Sequence, residues 1–449
     1  MRSRVWLYVV IAVVAAIALV AGVVAVAGAG STTNLPAISA QELMAKMASA
    51  EGSVTSVSGE VSWDNKLLGD LSTASGMAQM PAQSPLTSSG SGRIWVSDAG
   101  VRVESQGSGG DQVAGVSKAS QTAWTYDSAA NTAKQWSLTG DLPAQSPEPS
   151  PSAMTPVTIA VFLQQLAPYA TVDVAGQATV AGRAAYLLRM TPVADDTALG
   201  AVQAAVDGET MMPLSLEVFA RSGGAAVLSF GFDSVSYAPV DSKLFEFTPP
   251  AGAKVTTKTY DVADLQKQLE QKRGAASAQK QSGAATKAQH KELARHALLT
   301  QAQAQKLVDY PIAAAQGYTA RPFKWAYVFD NGMPLTALGT PVFDLAQMGL
   351  GGASGTSADA AAMGPASVLL YGSGFGSIAL TQTKTTPELD KQLKQLPALV
   401  GTATAGGSPA RSLTTPLGGV YIWQQGDTTL MAGGMVPAAD LEAFVSSVR

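Results

Sequence analysis

Short segments in which apolar and polar residues alternate recur along the chain from Ser56 to about Thr256. Examples are SVSGEVSW, GRIWVSD, VRVESQ, TAWTYDS and PLSLEVFA, and turns containing glycine separate many of them. Successive side chains of a strand point to opposite faces, so a period of two predicts strands that bury one face. Because the turns are short, neighbouring strands must run in opposite directions. The sequence therefore predicts an antiparallel meander.

Two helical segments interrupt this meander. The segment AQELMAKMASA follows Ser39, a good capping residue, and places Leu43, Met44 and Met47 on one stripe. The second segment is TPVTIAVFLQQLAP, which follows a loop with too many prolines for a strand ladder. The predicted fold class is α+β, in which these helices lie over one face of the sheet.

An antiparallel sheet commonly buries one face and exposes the other. The apolar side chains expected on the hidden face, with two from the first helix, are the candidate ligand-cavity residues: Leu43, Met47, Ile94, Val96, Tyr186, Leu188, Met190, Leu214, Leu216, Val218, Leu228, Phe230 and Phe232. Either the helices fill the concave side and these residues form a core, or they leave a cavity that accepts a foreign hydrocarbon chain. Taken alone, the pattern favours the core, because apolar stripes are usually buried.

The N-terminus has the features of a membrane segment. Arg2 and Arg4 precede an uncharged run from Val5 to Gly30, and about 20 apolar residues suffice to cross a bilayer. We expect a single-pass signal anchor over residues 1–30, with the bulk of the chain on the extracytoplasmic side of the cell membrane. Cleavage of a signal peptide after Ala27-Gly28-Ala29 is the alternative, and both readings export the chain.

The remainder divides into a linker and a second folded unit. Residues 259–306 are polar, rich in Ala, Gln and Lys, and interrupted by glycines, which predicts a partly helical, solvated spacer. Residues 307–449 contain strand-like segments and end in the helix-like VPAADLEAFVSSVR, which predicts a small α+β domain. The predicted boundaries are thus 1–30, 31–258, 259–306 and 307–449.

Composition and motifs argue against several functions. A net charge of −4 and the lack of a long basic cluster give no attraction for nucleic acid. The two histidines, His290 and His296, both lie in the linker, six positions apart, so they make a poor metal site. YGSGFGSIAL lacks the lysine of a phosphate-binding loop, and the pair Asp195–Asp196 lies in a loop where solvated charges are the ordinary explanation. We expect no enzyme activity and no cofactor.

Three motifs carry a family resemblance. VAGRAAYLLRMTP, AVDGETMMPLSLEVF and FDSVSYAPVDSKLFEFTPPAGAKV follow one another in the order found in the LolA/RseB-like superfamily, which includes the outer-membrane lipoprotein carrier. The resemblance runs from about Ser39 to Val255. It implies a curved, unclosed antiparallel half-barrel with lid helices, whose concave face binds a lipid or the acyl chain of a lipoprotein. The last thirty residues resemble, more weakly, modules that accompany RseB-type envelope sensors, which implies a membrane regulator protein as an alternative partner.

Limited proteolysis tests the predicted linker. Because its polar composition gives it little to bury, trypsin should cut the chain first between Tyr260 and Ala304 and release two resistant fragments. The sites of cleavage can be read by mass spectrometry of the fragments. First cleavage inside either strand-rich region, with the linker intact, would contradict the predicted boundary.

Overall fold

The fold is seen in a computed structural model that describes residues 35–50, 53–67, 89–106, 110–140, 163–164, 166–262, 298–329, 365–394 and 401–449. The predicted signal anchor at residues 1–30 lies outside these residues, as do most of the second predicted helix and of the linker. Within the described ranges, no helix has the length and apolar character needed to span a bilayer.

The first sheet has twelve strands, and helix α1 (Ala40–Ala50) precedes it. Its strands are β1 (Ser56–Asn65), β2 (Gly90–Ser97), β3 (Gly100–Gln106), β4 (Gln112–Ser117), β5 (Thr122–Asp127), β6 (Thr132–Thr139), β7 (Ala170–Val180), β8 (Arg183–Pro192), β9 (Leu199–Asp207), β10 (Pro213–Ala220), β11 (Leu228–Ser236) and β12 (Lys254–Asp261). Their order across the sheet is β12-β6-β5-β4-β3-β2-β1-β11-β10-β9-β8-β7. All neighbours are antiparallel except β12 and β6, which are parallel.

The second sheet has seven strands. They are β13 (Phe323–Phe329), β14 (Ala366–Tyr371), β15 (Ile378–Lys384), β16 (Gly401–Ala405), β17 (Ser408–Thr415), β18 (Gly418–Gln425) and β19 (Thr428–Gly434), in the order β13-β14-β15-β19-β18-β17-β16. Three short helices accompany it, α2 (Gln301–Gln305), α3 (Pro387–Lys394) and α4 (Ala438–Ser447). Leu441, Phe444 and Val445 of α4 are fully buried in its core.

The predicted α+β class is wrong. Strands make up 52 % of the described residues, and the large sheets are accompanied by few helices, so the chain is mostly β. The physical reason is that alternation with a period of two continues through both folded units, whereas the described helices are short. The curved, unclosed first sheet does fit a half-barrel, and Ser39 caps α1 as predicted by accepting a hydrogen bond from the Glu42 amide at 3.2 Å.

The two sheets are joined through a buried arginine. Arg321, only 2 % exposed, precedes β13 and donates from Nη2 to the backbone carbonyl of Asp196 in the first unit, at 2.6 Å. The same nitrogen lies 2.8 Å from Oδ2 of Asp440, and Nε donates to the Gly376 carbonyl at 2.7 Å. Since the planar guanidinium satisfies all these acceptors at once, it fixes the loop that contains Asp196 against the second sheet.

Replacing Arg321 should weaken this junction. Arg321→Lys keeps the charge but lacks the planar fork, so several buried acceptors lose their donor. We expect the free energy of unfolding to fall by about 2 kcal/mol or more, measured by chemical denaturation. Arg93→Lys, at a half-exposed arginine paired with Glu104, is the control and should change stability by about 0.5 kcal/mol or less. Equal effects in the two variants would contradict the role of Arg321.

Candidate ligand-binding face

An apolar row crosses β8 to β11 and continues onto β1. In the strand register Leu188 lies opposite Ala204, Ala204 opposite Leu216, and Leu216 opposite Phe230. Phe230 in turn lies opposite Trp63 of β1. Directly opposed residues of antiparallel strands point to the same side of the sheet. The row therefore presents a continuous band of hydrocarbon across five strands.

A second row runs beside the first, two residues away on each of the four strands β8 to β11. It contains Met190 opposite Val202, Val202 opposite Val218, and Val218 opposite Leu228. Side chains two apart on a strand share a face, so both rows belong to one surface. We call these two rows together the apolar face.

Helix α1 covers one end of the apolar face. Leu43 is fully buried in a cluster with Tyr186 and Val206, and Met47 and Leu188 pack against that cluster. The Tyr186 hydroxyl donates to the backbone carbonyl of Pro36 at 3.0 Å, which satisfies its polar end. The first predicted helix thus lies over β8 and β9.

Residues of the second sheet border the other end. Buried Leu166, Leu199 and Phe375 form a cluster against which the half-buried side chains of both units pack: Val172, Met190, Val202, Val218, Leu417 and Met435. Phe375, Leu417 and Met435 belong to the second unit. The apolar face therefore ends at a wall built from the second sheet and its connections.

The middle of the apolar face is only partly covered. Six of the predicted cavity residues along the whole face are half-buried: Leu188, Met190, Leu216, Val218, Leu228 and Phe230. Of these, Leu216 and Leu228 lie in the middle, away from the α1 cluster and the Phe375 cluster. By contrast, Ile94 and Val96 on β2 are each 4 % exposed and belong to a cluster with Val57 and Val61, against which Phe230 and Phe232 pack. The predicted residues thus divide between a closed core near β2 and a partly open surface on β8 to β11.

Leu214 lies in a different cluster from Val218, although the alternation places both on one face. Pro213 lies opposite Val206 and Ser215 lies opposite Ala205, so Leu214 is the extra residue of a bulge. Its side chain is buried against Val180, Ala185 and Ala205. The sequence around Leu214 gives no signal for this extra residue. Alternation of apolar and polar residues alone therefore does not reveal the bulge.

Trp63 borders the apolar face but was not among the predicted residues. Its indole ring packs on Gly90 of the neighbouring strand, and a Cβ on Gly90 would lie 2.6 Å from Cζ2 of Trp63. The signal was present in SVSGEVSW, where Trp63 has the same phase as Val57 and Val61.

A buried ionic cluster fixes the hairpin that carries β10. Asp207, 1 % exposed, ends β9 and accepts hydrogen bonds from Arg183, from the Tyr237 hydroxyl at 3.0 Å and from the backbone amide of Glu209 at 2.9 Å. The Arg183 guanidinium also lies over the Tyr237 ring, 5.0 Å from its centroid. Arg183, Asp207 and Tyr237 each come from a different one of the three motifs that carry the family resemblance, so the cluster joins all three motifs.

The electrostatics of this cluster favour the ionised carboxylate. Burial raises the pKa of Asp207, but the hydrogen bonds from Arg183, Glu209 and Tyr237 together outweigh it, so the pKa lies below its ordinary value. Burial raises the pKa of Tyr237 to about 12, with a smaller contribution in the same direction from the Asp207 charge. Near neutral pH Asp207 therefore keeps its charge and Tyr237 keeps its proton, so the hydrogen bonds between them persist.

The arrangement contains no recognisable metal site. Within the part of the chain that the structure describes, no group of three or more His, Asp or Glu side chains could hold an ion. His290 and His296, which the sequence analysis judged a poor metal site, lie outside those residues.

Comparisons with known proteins give neighbours among solved structures alone, since no family model and no curated protein matches. One neighbour is the MucA/MucB complex of Pseudomonas aeruginosa, with 14 % sequence identity and a TM-score of 0.36. The match covers 91 % of this chain and 98 % of the matched chain. A second is a LolA-superfamily protein from Nitrosomonas europaea, with 11 % sequence identity and a TM-score of 0.19. This match covers 47 % of this chain and 99 % of the matched chain. The neighbours are thus of the MucB/RseB and LolA kind, the superfamily that the motifs resemble.

The ionic cluster makes a prediction about stability. Asp207→Asn leaves the partly exposed Arg183 with Glu209 as a charged partner but removes a buried carboxylate that accepts several hydrogen bonds, so the free energy of unfolding at pH 7 should fall by about 1–3 kcal/mol. Asp195→Asn is the matched control, because Asp195 is also paired with an arginine but is 96 % exposed; its effect should be about 0.5 kcal/mol or less.

The same variant has a signature in pH. Since the folded-state pKa of Asp207 is lowered, its stabilisation is complete above the unfolded-state pKa of about 3.9 and is lost as pH falls through the folded value. Stability of Asp207→Asn should therefore fall less steeply than that of the wild type below about pH 4, measured by urea unfolding. Parallel curves for the two proteins would show that Asp207 is not the titrating group.

Proposed function

We propose that this chain binds the hydrocarbon chain of a lipid, of a lipoprotein or of another amphiphile on its apolar face, without catalysis. The observation that carries the proposal is the half-buried state of six apolar side chains along the apolar face. Leu188 packs against the α1 cluster at one end and Met190 and Val218 against the Phe375 wall at the other. Leu216 and Leu228, between them, are members of neither cluster. Large apolar side chains in a filled core would be fully buried, as Leu43 and Phe375 nearly are.

The shape of this surface supports a chain-like ligand. Both rows cross the four strands β8 to β11, which at about 4.8 Å between strands is a band on the order of 15 Å long. Such a band matches an extended acyl chain better than a compact polar metabolite. Burial of its methylene groups would contribute about 0.8 kcal/mol each before the cost of ordering the chain.

An envelope-stress sensor or regulator that acts through a membrane protein partner is the second candidate. The observation that favours it is the wall itself, because Phe375, Leu417 and Met435 belong to the second unit and would touch a bound chain. Hydrogen exchange of α2, which packs in the core of the second unit through Ala304 and is not part of the wall, distinguishes the candidates. Protection that changes when the face is filled would support the sensor, and unchanged protection there would support simple binding.

A charge on the apolar face tests the proposal. Leu216→Glu puts a carboxylate in the centre of the first row, where it can stay hydrated only if no hydrocarbon occupies the face. Binding of cis-parinaric acid, followed by its fluorescence, should weaken at least tenfold while circular dichroism remains that of the wild type. Ala204→Trp, which fills the same place without charge, should have the same effect if Leu216→Glu fails to fold.

Phe219→Glu is the matched control. Phe219 is on β10 but on the opposite face from Val218, and the Arg189 guanidinium lies 5.2 Å from its ring centroid, ready to pair with a carboxylate. This variant should bind the probe as the wild type does. The proposal is lost if the wild type binds no probe, or if folded Leu216→Glu or Ala204→Trp binds it with unchanged affinity.

A further inference from the structure

Basic and aromatic side chains share one face of β6 and β12, at one edge of the first sheet. Trp136 of β6 lies opposite Lys258 of β12. Residues two places before and after each of them point to the same side, because side chains alternate along a strand. We call this surface the edge patch, and its members are Lys134, Trp136, Leu138, Lys254, Lys258 and Tyr260.

The opposite face of this part of the sheet is closed, so exposure is confined to one side. Trp124 on β5 and Ala133 on β6 are each 1 % exposed. The ring of Trp124 stacks on that of Phe247, with centroids 4.3 Å apart. In the edge patch, by contrast, Tyr260 is 40 % exposed, Trp136 is half-buried and the three lysines are exposed. The sheet here packs one face and presents basic and aromatic groups on the other.

The edge patch has an excess of positive charge. Lys134, Lys254 and Lys258 form no ion pair with any carboxylate that the structure describes. Asp127 of β5 lies on the same face, and its carboxylate accepts a hydrogen bond from the Ala130 amide at 2.9 Å. Three lysines beside one carboxylate leave a net positive surface, which attracts anions.

Protection of a strand edge does not account for the whole patch. Lysines on an edge strand hinder pairing with another chain, which would explain Lys254 and Lys258 on β12. Lys134 and Trp136, however, are on β6, which is paired on both sides, with β5 and β12. Exposed aromatic rings such as that of Tyr260 favour association rather than prevent it. The edge patch therefore has the composition of a contact surface.

We propose that the edge patch docks on the surface of a bilayer that contains anionic lipid. Tryptophan and tyrosine favour the level of the lipid head groups, where a ring meets both hydrocarbon and water. The stems of the lysines can lie along apolar surface while their ammonium groups reach phosphates. Each lysine close to an anionic surface strengthens binding about fivefold.

The choice of side chains favours a bilayer over an acidic segment of another protein. Arginine, which pairs with a carboxylate through two parallel hydrogen bonds, is absent from the edge patch, and lysine acts as a point charge. An acidic segment would also leave Trp136 and Leu138 without hydrocarbon to contact. Docking needs no ligand on the apolar face, so the proposal goes beyond the proposed function and stands apart from it.

A label at a single cysteine tests the proposal, because the chain has no cysteine of its own. Thr256→Cys places a bimane label in the edge patch, and Thr257→Cys, the control, places it on the opposite face of the same strand. The full chain is mixed with vesicles of phosphatidylcholine and phosphatidylglycerol whose head groups carry a nitroxide quencher. We expect the label at Thr256→Cys to be quenched about twofold more strongly than that at Thr257→Cys, and equally in vesicles of phosphatidylcholine alone.

Reversal of charge identifies the lysines as the cause. In the Thr256→Cys chain, the triple variant Lys134→Glu/Lys254→Glu/Lys258→Glu should lose the additional quenching, because about fivefold for each lysine amounts to about a hundredfold in affinity. Circular dichroism should remain that of the wild type, since all three side chains are exposed. Added salt should have the same effect on the unreversed chain, and this measurement needs no variant that must fold.

Lys306→Glu/Lys324→Glu/Lys391→Glu is the matched control. It makes the same change in net charge at exposed lysines of the second unit, so quenching at Thr256→Cys should be unchanged. An equal loss in the two triple variants would mean that net charge alone attracts the chain, which overturns the proposal.

The remaining outcomes are equally decisive. Equal quenching at the two label positions, or quenching that neither salt nor charge reversal reduces, overturns the proposal. Binding of polyglutamate by the edge patch without binding of vesicles would assign the surface to an acidic protein segment and overturns it as well. The proposed function is measured separately, by binding of cis-parinaric acid in the absence of vesicles, so either proposal can fail without the other.

Discussion

The position of the apolar face depends on the buried contact between Arg183 and Asp207. Arg183 begins β8, Asp207 ends β9, and Tyr237, which follows β11, donates to the same carboxylate. Three points of the sheet are thereby held at one place. A slip of one residue would turn every side chain of a strand to the other face, so this contact keeps Leu216 in its row. A buried ion pair adds little net stability, but losing one partner is costly, and the pair therefore opposes any other register.

This contact also explains the spacing of the motifs. Asp207 accepts from the amide of Glu209 and so shapes the turn that leads to β10. The bulge at Leu214 then takes up one residue, after which Ser215 and Leu216 pair regularly with both neighbouring strands. The sequence alone predicted these strands because alternation is strong where one face is buried. It could not predict the bulge, and it missed β12, whose residues are all exposed and carry no alternation.

The helical content was overestimated for a related reason. Apolar stripes such as that of AQELMAKMASA mark a helix clearly, but they occupy a small part of the chain, and the predicted class gave them the same weight as the sheets. The candidate site was predictable in part: alternation placed seven residues on one surface, from Tyr186 on β8 to Phe230 on β11. Which of them stay half-buried depends on Phe375, which is distant in sequence. Asp196 shows the same limit, since a loop aspartate that looked merely solvated gives its carbonyl to Arg321.

The junction at Arg321 also bears on how a ligand would reach the apolar face. The arginine holds acceptors of both units, and Met435 accepts two further bonds, from the Thr197 hydroxyl and the Ala198 amide, each at 2.7 Å. Each such bond contributes about 1 kcal/mol or more, so displacing the wall would cost several kcal/mol. A single acyl chain gains little by opening this end, because Met190 and Val218 already pack there. Entry at the half-buried centre, near Leu216, would break none of these bonds. If the proposed ligand binds there, the wall would limit how far its chain can extend along the face.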